Sequence, residues 1–139
     1  MTIATHIEPA SVADFVGIPY RELGRSHDGA DCWGIVRMAA RELLSLELPE
    51  YFYPEADILA HACNLIGQEI QGPHWKPVHA PFAPGVVHIF RIKGFATHCG
   101  LHLAGADFLH SLPGRDSCVE SLDDLNWLQR RVGSYAWSL

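Results

Sequence analysis

Apolar positions in GADCWGIVRMAARELL (29–44) recur with helical spacing, placing Ile35, Val36, Ala39, Leu43 and Leu44 on one face before Pro49 stops the run. A second helical pattern runs from about Pro54 to Gln71, with Ile58, Leu59, Ala62, Leu65 and Ile66 inward. Ahead of both, EPASVADFVG reads as a short helix, with Pro9 in its first turn and Gly17 as its stop. IPYRELGRSHDGA follows it as a loop. After Gly85 the period becomes extended. VVHIFRI, THCGLHLA, DFLHSL and SCVES read as short strands divided by turn residues. SLDDLNWLQRR is a short helix with Ser121 as N-cap and Asp124 at the reciprocal position, and VGSYAWSL is a last strand. Between the halves, GPHWKPVHAPFAPG (72–85) is too rich in proline for a regular element and reads as a long ordered loop of the kind that lines a site. Helices first and an antiparallel sheet second is an α+β arrangement.

A chain of 139 residues without internal repeat or linker reads as one domain, 1–139. Its 48% hydrophobic and 19% charged residues describe a globular protein. The net charge of −6, with Lys and Arg scattered, excludes the basic stripe that nucleic acid requires. No apolar run approaches the ~20 residues of a membrane span, so no membrane insertion is expected. MTIATHIEPA has neither the basic start nor the apolar core of a secretory signal.

The chemistry centres on the start of the 29–44 helix. Asp31 is a good N-cap, which puts Cys32 at the first helical position, where free N–H groups and the dipole favour a thiolate. The dipole supplies only ~0.3–1 kcal/mol, less than one pKa unit, so a cation must help, and histidine is the usual one. Of nine histidines, His6, His27, His61, His74 and His79 fall in the tail, loops or a helix and read as surface or structural; His88 alternates on a strand and reads as facing solvent. His98 and His110 differ. If their strands form a hairpin around a loop of Ala104 to Ala106, Gly100 stands opposite His110, and His98 lies diagonally within reach of it on the same face. His98 would then take the proton of Cys32 and His110 would orient His98, while the Cys32 backbone N–H helps hold an oxyanion. Cys63, Cys99 and Cys118 read as reduced packing residues. His98, Cys99 and His102 offer ligand types, but a structural zinc site takes four ligands in two close pairs and no second pair is found, so neither metal nor cofactor is expected.

Cys32 followed by His98 in HCGLHL and His110 in FLHS resembles the NlpC/p-sixty family of papain-like cell-wall cysteine peptidases. GIPYRELGRSHDGADCWGIVR is similar to its nucleophile segment, APGVVHIFRI to its first core strand, and RRVGSYAW to its closing one. The resemblance implies a papain-like fold of helices packed on an antiparallel sheet, with Cys32 as nucleophile, His98 as general base, His110 as orienting residue and Tyr20 as a hydroxyl near the oxyanion site. It implies peptidoglycan stem peptides as substrate. DCWGIVR, ELPEY, FLHSLPGR and SLDDLNWLQRRVGSYAW resemble the single-domain versions of tailed bacteriophages. These imply synthesis in the host cytoplasm, a place in the distal virion tail among tail-tip or hub proteins, and action at the periplasmic wall. The alternative is a structural tail-tip subunit that keeps the fold without the activity. One departure is Val86, which stands where the family usually has aspartate after the glycine of the first core strand. Trp33, beside the nucleophile, reads as a core or cleft-wall residue.

Overall fold

The computed structural model describes residues 11–51 and 58–138. The expected contributions of Pro9, His6 and the Pro54 start of the second helix lie outside them, as do the side chains of His61 and Cys63.

Among the described residues the first element is a 3₁₀ turn, Val12–Phe15, within the stretch expected as a short helix. The Asp14 carboxylate accepts from the Ser11 amide at 2.9 Å, and Gly17 ends the turn at φ +88°. The segment expected as loop carries a two-stranded ribbon, β1 (Arg25–Ser26) and β2 (Gly29–Ala30). Helix α1 (Cys32–Leu44) starts against that ribbon so closely that a Cβ on Gly34 would lie 2.1 Å from the Gly24 carbonyl oxygen. The ribbon thereby seats the end of the helix that carries Cys32. At the other end Pro49 is not the stop: Ser45 adopts the left-handed conformation, φ 53°, and its amide donates to the Ala40 and Arg41 carbonyls. Leu44, expected inward, is exposed in this last turn. Helix α2 spans Ile58–Glu69.

The strands β3 (Trp75–Pro77), β4 (Val87–Ile92), β5 (Phe95–His102), β6 (Asp107–His110), β7 (Cys118–Ser121) and β8 (Arg131–Trp137) form an antiparallel sheet in the order β3-β8-β4-β5-β6-β7. The architecture is α+β, as the pattern predicts. β3 lies within the stretch expected to be irregular throughout; it pairs with β8 as an edge strand, where the missing N–H of Pro77 is tolerated. Helix α3 (Leu125–Arg130) is capped by Asp124, not Ser121, because Ser121 is committed to pairing with Asp107.

One sheet face, with Val87, Ile89, Cys99, Leu101 and Leu109, packs on Ile35, Val36 and Ala39 of α1. On the other face, Phe90 and Phe108 pack with Leu122 and Trp127. His88, His98, Gly100, His102 and His110 belong to this second face by alternation and register.

Candidate active site

Asp31 accepts from the Gly34 amide at 2.8 Å and the Leu23 amide at 3.0 Å, and pairs with Arg25 at 2.6 Å. Its carboxylate is thus held by helix, loop and ribbon together. This fixes Cys32 on the first turn, half-buried, with Sγ 3.9 Å from the Thr97 carbonyl oxygen on β5. The Cys32 thiol is pulled well below the ordinary thiol range. A hydrogen bond from Cys99 acts first, then a hydrogen bond to His98 and the charge of that imidazole, against burial and the Asp31 carboxylate. Cys99 moves the opposite way because it keeps its proton and donates it to Cys32. Cys99 is buried in the core, as expected of a packing residue, but it also adjusts the neighbouring sulfur, which its apolar strand position did not signal.

The β5–β6 hairpin has the expected geometry. Leu103 donates to Asp107 at 2.9 Å across the turn Ala104–Ala106, with Gly105 at φ +59°. Leu101 pairs with Leu109 and His102 with Phe108, so Gly100 stands opposite His110. His98 reaches across the diagonal, and its Nε2 lies 2.8 Å from His110 Nδ1. Both imidazoles are buried, walled by Trp127, with ring centroids 5.9 Å and 4.7 Å from it. Burial, then the charge of His98, pushes the His110 imidazole toward its neutral form, against Glu120.

Sequence reasoning stopped at His110. In the structure its Nε2 lies 2.6 Å from Glu120 Oε2, and the same oxygen accepts from Arg115 Nη2 at 2.7 Å. Burial alone would raise the Glu120 carboxyl, but hydrogen bonds from Trp127, His110 and Arg115 hold it below the ordinary range. Glu120 is again a diagonal neighbour: His110 pairs with Cys118, and Glu120 is two residues on. The alternation in SCVES puts Glu120 and Cys118 on one face and was the available signal.

Tyr20 joins the site from the loop before β1, bridged to Ala30 beside the Cys32 helix start. Its phenol is pushed up by burial first and by proximity to Cys32 next, so it stays protonated at neutral pH. Trp33 is buried, donates to the Pro49 carbonyl at 3.0 Å, and walls an apolar cleft beside Cys32. Tyr51, Trp75 and Tyr135 line the same cleft, so the 72–85 segment contributes through Trp75.

His27, His74 and His79 are exposed, as expected. His88 is not: it is fully buried, 2.6 Å from Ser134 Oγ and 2.9 Å from His102 Nδ1. β4 lies between β5 and β8, so alternation on that strand does not imply a wet face. His98, Cys99 and His102 do not converge as ligands. Among the described residues the group with metal-ligating geometry is His110, Cys118 and Glu120, all ligand atoms within 4.8 Å. There the guanidinium of Arg115, 2.7 Å from Glu120 and 3.0 Å from Cys118 Sγ, already supplies the cation.

The sequence model described as the NlpC/P60 family matches residues 17–135. Murein DD-endopeptidase MepS/murein LD-carboxypeptidase of Escherichia coli is 25% identical over 118 residues, 85% of this chain and 55% of that protein. The chain therefore spans about half the length of the curated relatives it matches. The solved NlpC/p60 domain of the peptidoglycan hydrolase SagA aligns with a TM-score of 0.54 at 20% identity, covering 92% of this chain and 95% of that one. NlpC2 from Trichomonas vaginalis aligns at 0.64 with 17% identity, over 91% of this chain and 44% of that one. At such identities these structures establish the shared fold.

Proposed function

The chain belongs to the NlpC/P60 family, and on that premise we propose that it is a cysteine peptidase of the cell wall, a murein endopeptidase cleaving amide bonds of peptidoglycan stem peptides. The observation that carries this reading is the line Cys32–His98–His110: a thiol lowered at a helix start, next to an imidazole held by a second imidazole at 2.8 Å.

His98 takes the Cys32 proton, leaving thiolate and imidazolium. The thiolate attacks the amide carbonyl, and the Cys32 backbone N–H and the Tyr20 hydroxyl donate to the oxyanion. On collapse His98 returns its proton to the departing amine, which leaves a thioester on Cys32. Water, deprotonated by His98, then hydrolyses the thioester and releases the new carboxyl group. His110 keeps His98 in register throughout. The apolar cleft beside Cys32 receives the side of the stem peptide next to the scissile bond.

Digestion of purified sacculi by the wild type and by Cys32→Ala, with fragments identified by mass spectrometry, tests this. New amino and carboxyl termini within stem peptides should appear with the wild type alone. Intact sacculi in both would leave a structural subunit with the peptidase fold.

The reading extends to where the protein works. The phage-like stretches DCWGIVR and FLHSLPGR support a place in the distal tail of a virion, docked on tail-tip or hub proteins. There the protein opens the wall locally during genome entry. Attachment to a particle would supply a high local concentration at the substrate. Mass spectrometry of purified particles should detect it; presence only in late lysates would make it a lysis enzyme instead.

A further inference from the structure

The hydrogen-bonded line from His98 to His110 runs on to Glu120 and Arg115, at 2.6 Å and then 2.7 Å. The geometry points to Glu120 as a positioning residue that dictates which nitrogen carries the proton in both catalytic imidazoles, with Arg115 holding it in place. This rests on the peptidase reading above.

The N···N bond between His98 Nε2 and His110 Nδ1 holds one proton and can run in either direction. If His110 Nδ1 is the donor, His98 Nε2 must accept, and neutral His98 carries its proton on Nδ1. That nitrogen then has no lone pair for the thiol. Only the opposite direction leaves His98 Nδ1 a base. An ionised carboxylate accepts and never donates, so Glu120 Oε2 requires the proton of His110 on Nε2. Neutral His110 then has Nδ1 free to accept, His98 donates from Nε2, and His98 Nδ1 is left bare. One carboxylate orders the whole line.

Three further observations support this. Cys118 stands directly opposite His110, but its Sγ is 3.7 Å from Nε2 and is the weaker acceptor. His110 is fully buried, which disfavours the doubly protonated form that would make the ordering irrelevant. Arg115 and Trp127 keep Glu120 ionised, so the acceptor stays an acceptor.

Two substitutions separate ordering from simple bracing of β7. Glu120→Gln keeps an oxygen that can accept from both His110 and Arg115 but removes the charge. Glu120→Leu removes the acceptor. Nitrogen-15 NMR of the imidazoles, recorded in a Cys32→Ala background at alkaline pH, reads the tautomers without any substrate. The parent and Glu120→Gln should show His98 and His110 each protonated on Nε2; Glu120→Leu should show mixed or reversed forms. In the active enzyme, Glu120→Leu should lower kcat by roughly 10- to 100-fold with little change in KM. Glu120→Gln should keep most of kcat, with the alkaline limb of its pH profile moved to lower pH because the imidazolium loses a stabilising charge. A parent protein with His110 protonated on Nδ1 overturns the inference, as do unchanged tautomers in a folded Glu120→Leu. Because the NMR arm needs no peptidoglycan, its failure is separable from failure of the peptidase reading.

Discussion

His98 Nε2 and His110 Nδ1 lie 2.8 Å apart although the two residues are not register partners, since Gly100 occupies the position opposite His110. The missing side chain at Gly100 leaves room for the Phe108 ring that packs beside His110. A Cβ on Gly100 would lie 2.8 Å from Phe108 Cδ2 and 3.3 Å from the Leu109 carbonyl oxygen.

Gly100→Ala therefore overpacks the fully buried Phe108 ring, which lies against His110 and His88. We expect a stability loss of about 1–3 kcal/mol, as for other small-to-large core changes. Activity should fall further than the folded fraction does, because Phe108 packs on His110 with centroids 4.8 Å apart. Thermal denaturation and peptidase assays well below the melting temperature separate the two effects.

Cys32 should react with limiting iodoacetamide before Cys99 or Cys118. Its lowered pKa keeps the thiolate populated as pH falls, so its alkylation rate should hold nearly level below neutrality. An ordinary thiol near ~8.5 would lose about tenfold per pH unit over the same range. His98→Ala and Cys99→Ala should each move the Cys32 profile to higher pH, since both partners favour the thiolate.

Cys32→Ala and His98→Ala should abolish stem-peptide cleavage, whereas His110→Ala should retain a measurable fraction. An orienting group acts through its neighbour, and the subtilisin case in which removing the aspartate costs less than removing the nucleophile follows the same logic. Steady-state kinetics on a soluble stem peptide rank the three; a fully active His98→Ala would refute the assignment.

Acid should destabilise the fold through the second, non-catalytic histidine pair. Burial first, then the charges of His102 and Arg131, depress His88 to about 3, and burial likewise lowers His102. Both are neutral in the folded chain and become protonated on unfolding below their ordinary value near 6.5. The His88 contribution is therefore intact above pH 6.5 and is lost as pH falls from there toward about 3, at up to ~1.4 kcal/mol per unit, and His102 adds to the loss in the same direction. Urea midpoints measured between pH 7.5 and 4.5 should fall, and the fall should be shallower in His88→Gln.

Legibility along the chain followed the range of the interactions. The Asp31 cap on Cys32 is a contact three residues long, and the placing of His98, Gly100 and His110 on one face needs only strand alternation and a three-residue turn at Gly105. Those were determined by the sequence itself, because backbone geometry translates short spacings directly into positions. The α3 cap shows the limit. Ser121 is a competent capping residue, and only its pairing with Asp107 removes it from that role.

Glu120 and His88 were decided by the tertiary structure. Glu120 meets His110 because β7 docks on β6 with Cys118 opposite His110, and the connecting stretch 111–117 is too long for its length to set that register. His88 is buried because β8, from the far end of the chain, inserts beside β4 and brings Ser134 to 2.6 Å from it, while Phe82 closes over the ring. Alternation states which side chains share a face. What covers that face depends on strands and loops that meet only in the folded chain, and their pairing energies are set by packing that no local pattern records.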